Sequence, residues 1–172
     1  MKLRFIIELD SPIRPEVELF AGNFTDDFDY IAVFDKLASK LIMRQDHDQA
    51  VLKAVKYKDG AYGAKIRYNS VLTAVHWKLL KMAKGKILIK PKNLRDLNRL
   101  KRSERDAVMH YGNSNAGLNY KPKVMLLRGE KDKKLLRHLN DKYGYSSLAV
   151  KALVVKRGKS ELCRADFKLS SI

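Results

Sequence analysis

The stretch SSLAVKALVVKRGKSELCRADFKL, residues 146–169, constrains the fold more than any other. Its apolar run over 147–157 fits either a buried helix or a strand, which periodicity alone does not separate over so short a length. The residues after it decide between the two. Cys163, Ala165, Phe167 and Leu169 alternate with Arg164, Asp166 and Lys168, the period of a half-buried strand. A helix over 147–157 would be apolar nearly all round and would leave that strand without a partner. With Arg157-Gly158 as a two-residue hairpin loop, glycine supplying the positive φ, Val154 opposes Glu161, Ala152 opposes Cys163 and Lys151 opposes Arg164. One face then collects Leu148, Val150, Ala152, Val154, Cys163, Ala165 and Phe167. The competing reading makes 123–157 the ribbon-helix-helix of a dimeric DNA-binding regulator. Its reader strand needs polar side chains on one face, whereas KVMLLR (123–128) is apolar on both.

The rest of the chain shows the same alternation of apolar periods and turn residues. MKLRFIIELD alternates Leu3, Phe5, Ile7 and Leu9 against Lys2, Arg4 and Glu8, a strand. After a Pro-containing loop, TDDFDYIAVFDKLASKLIMR reads as a helix, with Asp26, Asp27 and Asp29 in its first turn and Lys40 and Arg44 near its end, as the helix dipole favours. AVLKAVKYKDGAYGAKIRY is a hairpin about Asp59-Gly60, which puts Val51, Val55, Tyr57, Tyr62, Ala64, Ile66 and Tyr68 on one face. Ser70 caps a second helix that Gly85 stops, and KILIK is a short strand closed by Pro91. The resulting order over 1–91 is βαββαβ, the ferredoxin-like arrangement of an α+β protein. A basic helical segment fills 92–111, with Ser103 and Asp106 as a capping box that divides it. The Gly- and Asn-rich stretch 112–122 is a linker. A smaller βαββ domain, 123–172, ends the chain, its helix over 130–143 stopped by Gly144.

Charge names the partner class. The chain has 36 Lys+Arg and 19 Asp+Glu, a net of +17. Residues 1–50 hold 6 basic and 10 acidic side chains, and residues 51–172 hold 30 and 9. Such a field attracts polyanions through counterion release, so nucleic acid is the expected partner. The acidic first third suits a protein partner instead. One cysteine, Cys163, excludes an internal disulfide and suits a reducing, cytoplasmic compartment. No apolar run approaches the ~20 residues of a membrane span, so no membrane partner is expected.

The basic residues form two constellations. The face of the Asp59-Gly60 hairpin opposite its apolar one carries Lys56, Lys58, Lys65 and Arg67, to which the first strand adds Lys2 and Arg4. Lys92, Arg95, Arg99 and Arg102 fall on one stripe of a helix, within a stretch (78–102) that has ten basic residues and one acid. Asp26, Asp27 and Asp29 read as helix-start residues rather than metal ligands, and the four histidines show no paired metal spacing. His76, beside Trp77, reads as structural. His47 and His110 are the candidates for a general base in RNA cleavage. There is no phosphate-cradling glycine loop, CxxC pair or serine elbow, and no cofactor or metal is expected. Asp10 and Asp166 carry an alternative reading as a metal-dependent nuclease.

With MKLRFIIEL as first strand and KNLRDLNRLKRSERD as basic helix, the architecture resembles the CRISPR repeat-processing endoribonucleases of the RAMP superfamily. That resemblance implies an arginine-rich helix in the groove of an RNA hairpin, and RNA processing. The residues themselves speak for binding more than for cleavage. Structured RNA is expected to be held by the basic helix and the basic sheet face.

Overall fold

Directly opposed residues of neighbouring antiparallel strands project to the same side of a sheet, so pairing sorts this chain into two faces. The computed structural model describes residues 1–42, 49–67, 69–90, 94–95 and 97–167. Its strands are β1 (Lys2–Leu9), β2 (Glu16–Phe24), β3 (Gln49–Lys58), β4 (Ala61–Ile66), β5 (Ile87–Leu88), β6 (Lys123–Arg128), β7 (Ser147–Arg157) and β8 (Ser160–Asp166). Its helices are α1 (Tyr30–Ile42), α2 (Ser70–Met82), α3 (Arg102–Tyr111) and α4 (Lys133–Tyr143).

Across β3, β4, β6, β2, β1, β7 and β8, one residue per strand opposes the next: Val55, Ala64, Val124, Val17, Ile7, Leu153 and Ala165. All seven belong to the apolar core or pack against it. Val33, Phe34 and Leu37 of α1, Leu72, Val75 and Leu79 of α2, and Leu139 and Tyr143 of α4 complete the same core. One position along, Lys56, Gly63, Met125, Glu16, Glu8, Ala152 and Asp166 form the parallel row on the opposite face. The helices thus pack on one side and leave charged residues on the other.

Local chemistry starts and stops these elements. Asp59 (φ 53°) and Gly60 (φ 74°) form the tight turn between β3 and β4, where both central residues need positive φ. The Asp29 side chain accepts the Ala32 N–H at 2.9 Å, so α1 starts after the aspartates rather than among them. Asn69, not Ser70, caps α2 by accepting the Leu72 N–H at 2.9 Å. Asp132 does the same for α4, from Lys134 at 2.7 Å.

The protein is α+β with an eight-stranded antiparallel sheet, but its strand order is not the ferredoxin-like one expected. Residues 16–24, expected to be loop, form β2, so the first half runs ββαββαβ. Phe5 opposes Phe20 while Ile6 opposes Glu18, so Leu19 is a bulge that hides the alternation of β2. The order β1-β2-β6-β4-β3-β7-β8, with a further β1–β7 pairing, closes six strands into a circuit. Strands from 123–166 lie inside it: β6 between β2 and β4, and β7 between β1 and β3. The stretch 112–122 therefore does not divide the sheet.

The C-terminal hairpin forms, and 147–157 is a strand rather than the second helix of a ribbon-helix-helix. Its register differs from the expected one. The loop is Gly158-Lys159, since Arg157 opposes Ser160, and a bulge shifts the ladder between Val155 and Lys156. Leu153 and Val155 consequently join Ala165 and Cys163 on the core side, while Ala152 and Val154 go with Asp166 and Arg164. A smaller bulge in β3 brings Leu52 rather than Val51 onto the core face, opposite Ile66.

Candidate nucleic-acid interface

The charged face has two unlike halves. On β1, β7 and β8 three cations of this face, Arg4, Lys156 and Arg164, are neutralised, while Lys2 and Arg157 at the strand ends are exposed with no carboxylate in ion-pair reach among the described residues. Arg4 Nε donates to Glu18 at 3.1 Å, Lys156 bonds Glu16, and Arg164 Nη2 donates to Glu8 at 2.8 Å and lies 2.8 Å from Asp166. Beneath these pairs Ile6 and Val154 are fully buried. The hydrogen bond that Arg164 donates to Glu8, then those it donates to Asp166, raise its pKa further and keep its guanidinium charged.

On β3, β4 and β6 the cations stand alone. Lys56, Lys58, Lys65 and Arg67 are exposed, as expected from the hairpin, and β6 adds exposed Lys123 and Arg128. Among the described residues, no carboxylate lies within ion-pair reach of Lys56, Lys65, Arg67, Lys123 or Arg128, and Lys58 has only Asp59, at 3.9 Å. Lys65 directly opposes Lys123 across the β4–β6 ladder. Like charges so placed destabilise a sheet by a few tenths of a kcal/mol to about 1 kcal/mol. Folding alone does not favour that arrangement.

The expected basic helix is broken. Leu97–Arg99 form a 3-10 turn, Lys101 is extended, and Arg102 is the first residue of α3. The Glu104 carboxylate accepts the Lys101 N–H at 2.9 Å, which restarts the helix there and displaces the Ser103/Asp106 box. Arg95, Arg99 and Arg102 are exposed but do not share one helical stripe. Lys92, His47, Arg44, Tyr68 and Lys168 lie outside the described residues.

His110 is exposed on α3, its Nδ1 donating to the Asp106 carbonyl at 2.8 Å. His76 is fully buried. Its Nδ1 donates to the Leu19 carbonyl at 2.7 Å, its Nε2 accepts the Gly117 N–H at 3.0 Å, and its ring stacks on Tyr120 at 3.9 Å. Desolvation pushes its pKa down to about 4, against a weaker opposing pull from the Leu19 carbonyl. That is a neutral, fully satisfied structural imidazole. Burial likewise pushes the Tyr120 hydroxyl well above its usual range.

The candidate carboxylates are each taken up by a cation. Asp27 pairs with Lys86, which holds it below the usual carboxylate range, and Asp26 lies 3.5 Å from the N-terminal amine. Asp10 faces Lys151 at 3.5 Å, far along the chain from its own turn, and Asp166 is held by Arg164. No group of three potential ligands gathers among the described residues. Much of the acidity of the first fifty residues, through Glu8, Asp10, Glu16, Glu18 and Asp27, thus goes into internal ion pairs.

Lys123 and Arg128 were not evident as site residues in the sequence. Their strand joins β4 through a pairing between residues about 60 positions apart, for which the chain carries no local signal. No protein-family model matches this chain, and no curated protein matches it. No helix among the described residues is long and apolar enough to cross a membrane.

Proposed function

We propose that the protein binds structured RNA through the cationic face of β3, β4 and β6. The observation that carries this reading is the set of exposed, unneutralised Lys56, Lys65, Arg67, Lys123 and Arg128, with Lys65 set against Lys123. Most of these are lysines, which meet phosphates as point charges rather than by forked recognition of bases. Tyr57 of β3 and Tyr62 of β4 belong to the core side, so among the described residues these two strands offer no stacking platform on the charged face. A sheet face of this kind suits the wide, shallow minor groove of an A-form duplex better than the deep major groove of DNA, which takes a helix or ribbon. The proposal is for binding; cleavage is not part of it.

Fluorescence anisotropy with a labelled RNA hairpin over a potassium chloride series tests it. In Lys56→Ala/Lys65→Ala/Lys123→Ala, the slope of log K against log salt should fall by roughly 0.7–0.9 for each phosphate that the variant no longer neutralises. A slope equal to that of the parent protein would remove this face from the interface. Duplex DNA bound more tightly than RNA at equal salt would overturn the choice of nucleic acid.

A further inference from the structure

A second cationic feature lies away from that sheet face. The C-terminal half of α2, the turn at Lys84-Gly85 and the end of α3 enclose a groove of about 760 Å³. Lys78, Lys81 and Lys84 line it with Trp77, His110 and Tyr111, and Lys40 of α1 adds a fourth ammonium. Among the described residues that line it there is no carboxylate. Lys78 Nζ donates to the Lys36 carbonyl at 3.2 Å, a bond that leaves its charge uncompensated.

The aromatic part of this groove is built. Gly117 has φ +60°, and a Cβ placed there would lie 3.0 Å from Tyr111 Cε2 and 3.6 Å from Trp77 Cη2. Both rings therefore abut one stretch of backbone that only glycine leaves open. That backbone is in turn pinned by the hydrogen bond from the Gly117 N–H to buried His76. Trp77 keeps 38% of its surface exposed and is among the residues that line the groove, so its ring is open to a ligand there. A flat aromatic surface ringed by ammonium groups has the chemistry to hold a nucleotide: the ring stacks a base while the lysines meet phosphates. The volume is of the size that takes one or two nucleotides rather than a duplex.

We infer that the groove between α2 and α3 binds an unpaired segment of RNA, one base resting on Trp77 and its phosphates on Lys78, Lys81 and Lys84. This rests on the reading that the protein binds RNA, and it adds a single-strand site to the duplex-binding face. The four lysines decide for a polyanion, and the exposed Trp77 ring among them decides for a strand whose bases are free to stack.

Trp77 is the only tryptophan in the chain, so its emission reports on this groove alone. The full chain is titrated with a short oligoadenylate, with AMP, with inorganic polyphosphate and with a blunt RNA hairpin. The oligoadenylate should quench Trp77 saturably. Lys78→Ala/Lys81→Ala/Lys84→Ala should weaken that binding by roughly tenfold or more at low salt. Lys56→Ala/Lys65→Ala/Lys123→Ala should leave the quenching in place while weakening the hairpin. Hairpin binding without quenching by the oligoadenylate would overturn the groove site and leave the duplex reading standing; quenching that persists while the hairpin fails to bind would do the reverse. AMP binding as tightly as the oligoadenylate would make this a mononucleotide pocket and overturn the strand proposal. Equal quenching by polyphosphate would reduce it to charge alone and overturn it too.

Discussion

Acidifying the protein from about pH 7 to about pH 4 should cost it stability through one buried ring. His76 has a folded pKa of about 4 against an ordinary 6.5, because desolvation disfavours its charged form. The unfolded chain therefore takes up this proton first. Stability from this residue is full above about pH 6.5, falls as the pH drops toward 4, and levels off below it. At about 1.4 kcal/mol per pH unit, the gap amounts to roughly 3 kcal/mol. Urea unfolding at stepped pH measures the loss. His76→Phe is the reference, since it keeps a ring against Tyr120 but does not titrate. It also strands the Leu19 carbonyl and the Gly117 N–H, costing roughly 1–3 kcal/mol for each, alike at every pH. The difference between the two proteins should narrow by roughly 3 kcal/mol across the window. Asp27 and Asp166, held low by Lys86 and Arg164, lose their contributions only as the pH falls below the window. Should the two proteins lose stability in parallel, or should NMR show the His76 ring titrating near its ordinary value, the buried neutral imidazole is refuted.

The sheet makes two further outcomes measurable. Lys65→Thr removes one of two opposed like charges and should raise stability by roughly 0.2–1 kcal/mol while weakening RNA binding. Thermal melts at low salt read the first effect, and a lowered melting temperature would contradict the repulsion. Asn140→Leu should destabilise by roughly 1–3 kcal/mol, because the Asn140 side chain accepts the Val55 N–H at 2.8 Å and donates to its carbonyl at 2.9 Å. Denaturant titration checks this, and an unchanged midpoint would show that water replaces both bonds.

Much of the candidate interface was legible because it depends on a turn two residues long. Asp59-Gly60 sets the register of β3 against β4, and that register alone puts Lys56, Lys58, Lys65 and Arg67 on one face. The basic stripe at 92–102 was misleading for a related reason. Spacing is a helical signal only while the helix continues, and the 3-10 turn at Leu97–Arg99 ends that condition. The groove lysines were visible as part of a basic run, but not as neighbours of Tyr111, which only the packing of α3 against the Gly117 turn supplies. β2 escaped notice because its bulge at Leu19 interrupts the period of two.

By itself, then, the sequence determined the α+β class, the two tight hairpins, the excess of positive charge and one half of the cationic face. Each of these is read from residues within a few positions of one another, where turn geometry and side-chain alternation act directly. Only the tertiary structure decided that β6 lies between β2 and β4, that β7 lies between β1 and β3, and hence that Lys123 meets Lys65 while Glu16 and Glu8 neutralise Lys156 and Arg164 on the other half. Strands far apart in the chain are matched by the burial of a shared apolar row, Val124 against Val17 and Ala64 and Ile7 against Leu153, and many orders satisfy the same local pattern until that core is assembled.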